Sequence, residues 1–406
     1  MARRRQKTVN GLGIKDFLSS LSMGSSMLFN FAFSSDKGLT AKPDASAWDE
    51  ERTDILERTN YLCTKIIKRP DELIAEAPKM IGEEYQGEWA IYCCSMLTQA
   101  LANISVLYPD KKDNCPELIA RLIEIVNTPE IRKYDTAQWK EDAMETLDGD
   151  KSHMTYLSIL AWMITNYKFV GGDERYDALL HRLIDTLVRR MKASPYDLNL
   201  LSFPRKPIWL PDNLVSLVAL KNYGLLFGGK YADVVEEWVH NAQTKWIHKK
   251  TGLLAGLLPG ASFRQKGIVV RGSCTALNCS YLALVDEDFA REQHRLMIKH
   301  MTKTEKFLGK TLFGIKEYLT KSPNFALKAG DAGLIVKGIS AGGTLFALCS
   351  ATYFSDWKTR YELLRTAELV SGTVKEKGMR HYKMSEMFLV GEATALAMRT
   401  NVRRNW

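Results

Sequence analysis

One pattern recurs along this chain. Small and polar residues open an apolar helical run, a short Gly/Asp turn follows, and a second, amphipathic run returns. The openings stand near Tyr85, Ser152, Pro211, Gly272, Asp331 and Ser385, at intervals of roughly 60 residues. A period of that length means one supersecondary unit stacked on copies of itself, because a lone helical pair cannot bury its apolar face. Two helices per unit predict an all-α fold: an α/α toroid, a ring of about six helical hairpins like that of the six-hairpin glycosidases.

Apolar residues at helical spacing place the hairpins. An entry pair spans Asp49 to Lys79 and breaks at Pro70. The first hairpin runs from Glu83 to Val106, turns at Pro109-Asp110 and returns over Leu118 to Ile125. The second joins Met154–Thr165 to Tyr176–Met191 through Gly171-Gly172-Asp173, and the third joins Leu214–Leu226 to Tyr231–Trp246 through Gly228-Gly229. The fourth joins Ser273–Leu284 to Phe289–Met301, and the fifth joins Leu334–Thr352 to Tyr361–Val370. A last helix, Met387 to Met398, lacks a partner, and the entry helix can close the ring in its place. Residues 46–406 then form the toroid domain and residues 1–45 an appendage.

The appendage pairs Arg3, Arg4 and Arg5 with an uncharged stretch, Phe17 to Phe33, diluted by serines. It is too polar for a confident span and has no good cleavage site for a signal peptide. Two readings stand: a helix lying on a membrane or on the protein's own surface, with residues 1–33 docking a membrane, or an inserted or cleaved segment. Beyond it no window approaches a transmembrane span. The net charge of +9 sits largely at the ends and reads as a solvated surface; no basic, aromatic-interleaved motif points to nucleic acid. Seven cysteines, an odd number embedded in apolar runs, read as buried thiols, not as a disulfide framework, which argues for a cytoplasmic or envelope-associated protein over a disulfide-stabilised secreted one. Neither paired Cys-x-x-Cys elements nor a His-rich helix suggests a metal, and no cofactor is expected.

Short turns make neighbouring helices antiparallel and leave the irregular sequence to four longer links, Tyr134–Lys151, Ser194–Pro211, Thr251–Arg271 and Phe307–Gly330. Each leads into a first helix, so in a ring they gather at one mouth, where loops on a rigid scaffold carry function and a central cavity takes a small-molecule substrate. The polar residues there are Glu88 and Trp89, Asp150 and His153, Trp209 and Asp212, Arg271, Ser273 and Cys274, Asp331 and Lys337, and Glu386, with Glu317-Tyr318 on the fourth link. Asp150, Asp212, Asp331 and His153 are the acid/base candidates, since carboxylates in unlike environments divide into acid and base. The three aspartates also stand where helix N-caps stand. Arg271, Glu317, Tyr318, Glu88, Trp89 and Trp209 are the substrate-binding candidates; the tryptophans suit a sugar ring or a prenyl chain. Gly338 to Gly343 lacks the strand and the Lys-Ser/Thr of a phosphate cradle and reads as close helix packing.

Several of these segments carry a resemblance. Ser152-His153-Met154 through Gly172-Asp173-Glu174-Arg175-Tyr176-Asp177, Pro211-Asp212-Asn213, Gly228-Gly229-Lys230-Tyr231-Ala232, Arg271-Gly272-Ser273, Asp288-Phe289-Ala290-Arg291-Glu292-Gln293 and Glu317-Tyr318 resemble the helical core of linalool dehydratase/isomerase-type proteins. The resemblance covers residues 85–370. It implies an α/α toroid with a central apolar pocket, in which a histidine, acidic groups, tyrosines and two cysteines move protons to and from a terpene alcohol. His153 and Asp212 match by position. Where the family pattern reads Cys-Glu-Pro-Asp with a second Cys farther along the helix, this chain has Trp209-Leu210-Pro211-Asp212 and Val218, so both thiols are missing.

Three functions follow as expectations. The first is a toroid enzyme doing acid/base elimination, isomerisation or hydrolysis on a small apolar alcohol or a sugar-derived molecule. The second is a six-hairpin glycosidase or polysaccharide lyase, which needs two suitably spaced carboxylates. The third is a non-catalytic helical scaffold or binding module.

Overall fold

Helices of two kinds alternate along the chain, and their residues say why. In the first kind apolar and small residues run right round the cylinder, so it is buried on every side. In the second they form one stripe, as with Cys115, Ile119, Leu122, Ile123 and Val126, which are buried while Glu117, Arg121 and Glu124 face water. Each Leu or Ile so buried contributes about 1.5–3 kcal/mol. The computed structural model describes residues 45–76, 86–204, 206–260, 267–321, 325–326, 332–386 and 389–406. This part is mostly helical with a few short strands. The basic N-terminal segment and Asp331 lie outside the described residues.

The chain enters through α1 (Ala45–Leu62), a π-helical turn at Cys63–Ile67 and α2 (Pro70–Glu76), the break falling at the expected proline. The paired helices follow: α3 (Gln86–Leu107) and α4 (Cys115–Val126), an extra helix α5 (Pro129–Trp139), then α6 (Met154–Phe169) with α7 (Asp177–Ala193) and α8 (Leu210–Leu226) with α9 (Ala232–Lys245). Next come α10 (Gly272–Val285) with α11 (Glu287–Met301), α12 (Ala341–Tyr353) with α13 (Trp357–Ser371), and α14 (Leu389–Arg399). The buried helices pack in order, α3 on α6, α6 on α8, α8 on α10, α10 on α12 and α12 on α14, and α14 packs back on α3. The striped helices lie against their own partners.

Three features depart from the expected helical layout. The first link carries α5, a helix that opens at Thr128-Pro129 with proline in its first turn. The fifth hairpin starts at Ala341, not Leu334, because Ile335–Val336 and Ile339–Ser340 are strands. Strands also form at β1 (Ile208–Trp209) and β2 (Leu257–Leu258), which pair antiparallel. A five-stranded antiparallel sheet joins β3 (Thr302–Phe307), β4 (Lys310–Lys316), β5 (Phe325–Ala326), β6 (Ile335–Val336) and β7 (Ile339–Ser340) in the order β3-β4-β7-β6-β5. A last hairpin joins β8 (Thr373–Glu376) to β9 (Met379–Tyr382). The three tightest hairpins turn on Leu308-Gly309, Lys337-Gly338 and Lys377-Gly378, each pair with both φ angles positive, as the twist of two-residue turns requires.

One helix does meet the length and apolarity of a membrane span, contrary to expectation. Gly87–Leu107 of α3 has a mean hydropathy of 1.5, but 83% of the stretch is buried inside the protein. Its apolar surface is covered by α4, α6 and α14. All seven cysteines are thiols and all but Cys63 are buried, in line with the reading as core thiols.

The entry helix α1 is bound to the far end of the chain. Arg58 donates to Glu392 of α14 at 2.7 Å, to Asp54 at 3.0 Å and to Thr373 at 2.8 Å. Arg58 and Glu392 are 3% and 0% exposed. Glu392 also accepts from the Tyr382 backbone at 2.7 Å and from the Ser385 hydroxyl. Asp54 pairs with Arg399, and Glu51 with Arg360 and Arg399. Burial alone would raise Asp54, yet Arg399 and Arg58 hold it down to about 2. At the C-terminus Arg404 reaches the side-chain oxygens of Asn103 (2.8 Å) and Asn166 near the C-terminal ends of α3 and α6. Trp406 packs at a tilt against Phe169 with ring centroids 4.8 Å apart.

Candidate functional site

Four of the buried helices present polar side chains at their N-terminal ends. Glu88 lies in the first turn of α3, His153 immediately precedes α6, Asp212 lies in the first turn of α8, and Arg271 and Ser273 flank the start of α10. Helix α5 packs on α3 and adds Tyr134, Asp135 and Trp139 to this end.

Glu88, Asp135 and Asp212 are electrostatic neighbours. Burial raises Glu88 to about 8, and the nearby charges of Asp212 and Asp135 push in the same direction. A helix N-terminus favours a carboxylate by about 0.3–1 kcal/mol, too little to offset loss of water and two like charges. Glu88 therefore keeps its proton at neutral pH. Tyr92, one helical turn on, and Tyr134 are raised well above the ordinary phenol value, first by burial and then by these carboxylates. Tyr281 of α10 is raised by burial and by Asp212. The Tyr134 hydroxyl is buried and has no hydrogen-bond partner among the described residues, so a donor stands ready beside the acids. The Thr155 hydroxyl lies 3.4 Å from Asp212 Oδ2.

His153 is fully buried and left-handed, with φ of 44°, a conformation histidine adopts more readily than most residues. Its Nδ1 lies 2.6 Å from Asp135 Oδ2 and its Nε2 lies 3.4 Å from Glu141 Oε1. The Trp139 ring packs at 5.4 Å. Burial raises Asp135 even though His153 pulls it down. Across the site, Arg271 Nε donates to Glu317 Oε1 at 2.6 Å, and its guanidinium lies 5.7 Å from the centre of the Trp209 ring. Glu317 is 0% exposed and also accepts from Ser273 N at 3.2 Å and Ser273 Oγ at 3.0 Å. Its backbone passes so close to α10 that a Cβ on Gly272 would sit 2.1 Å from the Lys316 carbonyl oxygen, which explains the glycine of Arg271-Gly272-Ser273. Tyr318 bridges to Arg271 through the backbone, and Trp89 packs on Tyr92 with ring centroids 6.4 Å apart.

No protein-family model matches the chain, and none of the curated proteins compared with it does. The site must therefore be read from its own geometry.

Of the expected residues, Glu88 and Asp212 come together, Trp89 lies against that group through Tyr92, and His153 joins it through Asp135. Arg271 and Trp209 form a neighbouring pair. Asp150 does not join them: its side chain is wholly exposed and its nearest charge is Arg189, at 3.3 Å, because the chain turns inward only at Ser152. Glu317 is engaged with Arg271 and Ser273, and so holds the arginine in place. Neither Asp150 nor Asp212 is an N-cap; the residues preceding α6 and α8 are His153 and Trp209, and neither caps with its side chain. Tyr92, Tyr134, Asp135, Glu141 and Tyr281 were missed. The spacing of Glu88 and Tyr92, four apart on one helix face, was a readable signal for the first, and Thr128-Pro129 marked the helix that carries Tyr134 and Asp135. Among the described residues no group of three or more His, Cys, Asp or Glu is placed to hold a metal ion.

Proposed function

We propose that the chain is an α/α toroid enzyme that uses paired carboxyl groups for acid/base elimination, isomerisation or hydrolysis of a small uncharged substrate, an apolar alcohol or a sugar-derived molecule. The return of α14 onto α3 supports the ring, and so does the resemblance to linalool dehydratase/isomerase-type proteins. One feature carries the chemistry: burial, and then the neighbouring charges of Asp212 and Asp135, raise Glu88 to about 8. Two carboxyls whose environments drive them apart divide into acid and base.

In this reading Glu88 gives its proton to the leaving oxygen, which departs as water or alcohol. Asp212 takes a proton from the neighbouring carbon in an elimination, or from an attacking water in a hydrolysis. Passage of that proton from Asp212 back to Glu88 restores both groups. The Tyr134 hydroxyl, which has no partner among the described residues, binds a substrate oxygen. Three carboxyls and an arginine already neutralised by Glu317 disfavour an anionic substrate. Trp209 and Val218 stand where the family has thiols, so proton movement falls to the carboxyls.

The test is a panel of small apolar alcohols and neutral sugar-derived compounds, followed for loss of water, isomerisation and hydrolysis. E88Q and D212N should each lower turnover by about 100-fold or more with unchanged folding, while D150N should turn over as the parent does. Full activity in E88Q would refute the acid role, and a panel with no turnover by the parent would favour the scaffold reading.

A further inference from the structure

A line of side chains runs from Asp135, at the edge of the carboxyl cluster, to the surface. Glu141 is 26% exposed, and its Oε2 lies 2.7 Å from Lys151 Nζ, which is itself 44% exposed. Glu141 Oε1 faces His153 Nε2 at 3.4 Å, and His153 Nδ1 faces Asp135 Oδ2 at 2.6 Å. His153 and Asp135 are 0% and 3% exposed, so the middle of this line is closed to bulk water. Asp135 in turn is an electrostatic neighbour of Glu88 and Tyr134. An imidazole held between two carboxyls accepts a proton on one nitrogen and releases one from the other. A histidine whose two ring nitrogens both face carboxyl groups, with no exposed edge, is poorly placed to touch a substrate and well placed to pass protons.

We propose that Glu141, His153 and Asp135 form a proton conduit between solvent and the carboxyl cluster, an inference that rests on the acid role of Glu88. A solvent proton arriving at Glu141 moves to Nε2; the imidazolium releases its Nδ1 proton to Asp135, and Asp135 hands it to the cluster. One proton enters, Glu141 and Asp135 regain their charges, and the ring is left carrying its proton on Nε2. The reverse passage takes the proton out and restores the Nδ1 tautomer. Only N–H and O–H bonds form and break. The other charges near the path are Arg190 and Asp142, which act on Asp135, with Arg132 on Asp142 and Lys151 on Glu141. Lys151 holds Glu141 below its ordinary value, so the outer end is anionic at rest and passes on quickly any proton it receives.

The experiment is a rapid pH drop across the Glu88 titration in the full chain, read by the infrared carbonyl band that E88Q removes. E141Q alters only the solvent end, and H153N keeps a residue that tolerates the left-handed backbone. Both should slow the rise of the band by roughly tenfold or more, while E141Q leaves its equilibrium midpoint in place, which a merely structural role would not. An unchanged rate in E141Q overturns the conduit and leaves the acid role of Glu88 standing. Absence of any protonated Glu88 band in the parent overturns the acid role, and the conduit with it.

Discussion

At Glu88 a single carboxyl ties folding to acidity. Its value is raised from 4.5 to about 8 in the folded protein, so between those limits the folded state holds a proton that the unfolded chain has released. Folding is then favoured at the acid end of that window, and stability falls as pH rises through it, by up to about 1.4 kcal/mol per pH unit. Asp135, raised by burial, contributes a dependence of the same sign above its own unfolded value. E88Q cannot ionise, so its urea midpoints at mildly acid and mildly alkaline pH should differ less than the parent's. An unaltered pH slope would show that Glu88 is not held protonated. The type of this residue and its place on an inner helix were legible in the sequence. Its protonation was not, because that depends on Asp212, 124 positions on, and on Asp135 from a helix read as a loop.

At the scale of elements, hydrophobic periodicity located the paired helices well, since a stripe or a fully apolar cylinder is written locally. The ends of α6, α10 and α11 fall within a few residues of where the apolar runs stop. The strands escaped notice because their turns open on Leu308, Lys337 and Lys377, and not on the asparagine or aspartate that usually announces such a turn. The α1–α14 clasp was legible only as a missing partner; the charges that make it, Arg58 and Glu392, gave no sign of meeting. Removing one member of a buried pair strands the other. E392Q should therefore cost about 3–5 kcal/mol, seen as a lowered urea midpoint at constant slope. A loss under about 1 kcal/mol would mean that Arg58 finds other partners as good.

For the whole molecule, the two ends of the packed helices do different work. The site gathers at the N-terminal ends of the buried helices, whereas Arg404 sits near the C-terminal ends of α3 and α6. Burial lowers this guanidinium to about 10, so it remains charged at neutral pH, held by amide oxygens and helix C-termini. R404M should leave the Asn103 and Asn166 oxygens unsatisfied and cost roughly 1–3 kcal/mol, measured by thermal melting, without changing the titration of Glu88. A shift in that titration would mean the two ends are coupled. The clasp has a further consequence, in time. Arg58 and Glu392 are 334 positions apart, and at ribosomal rates that separation is roughly 20 s to a minute of synthesis. Through that interval α1 carries an arginine whose buried partner does not yet exist, so α1 cannot settle into its final contacts until α14 has been made.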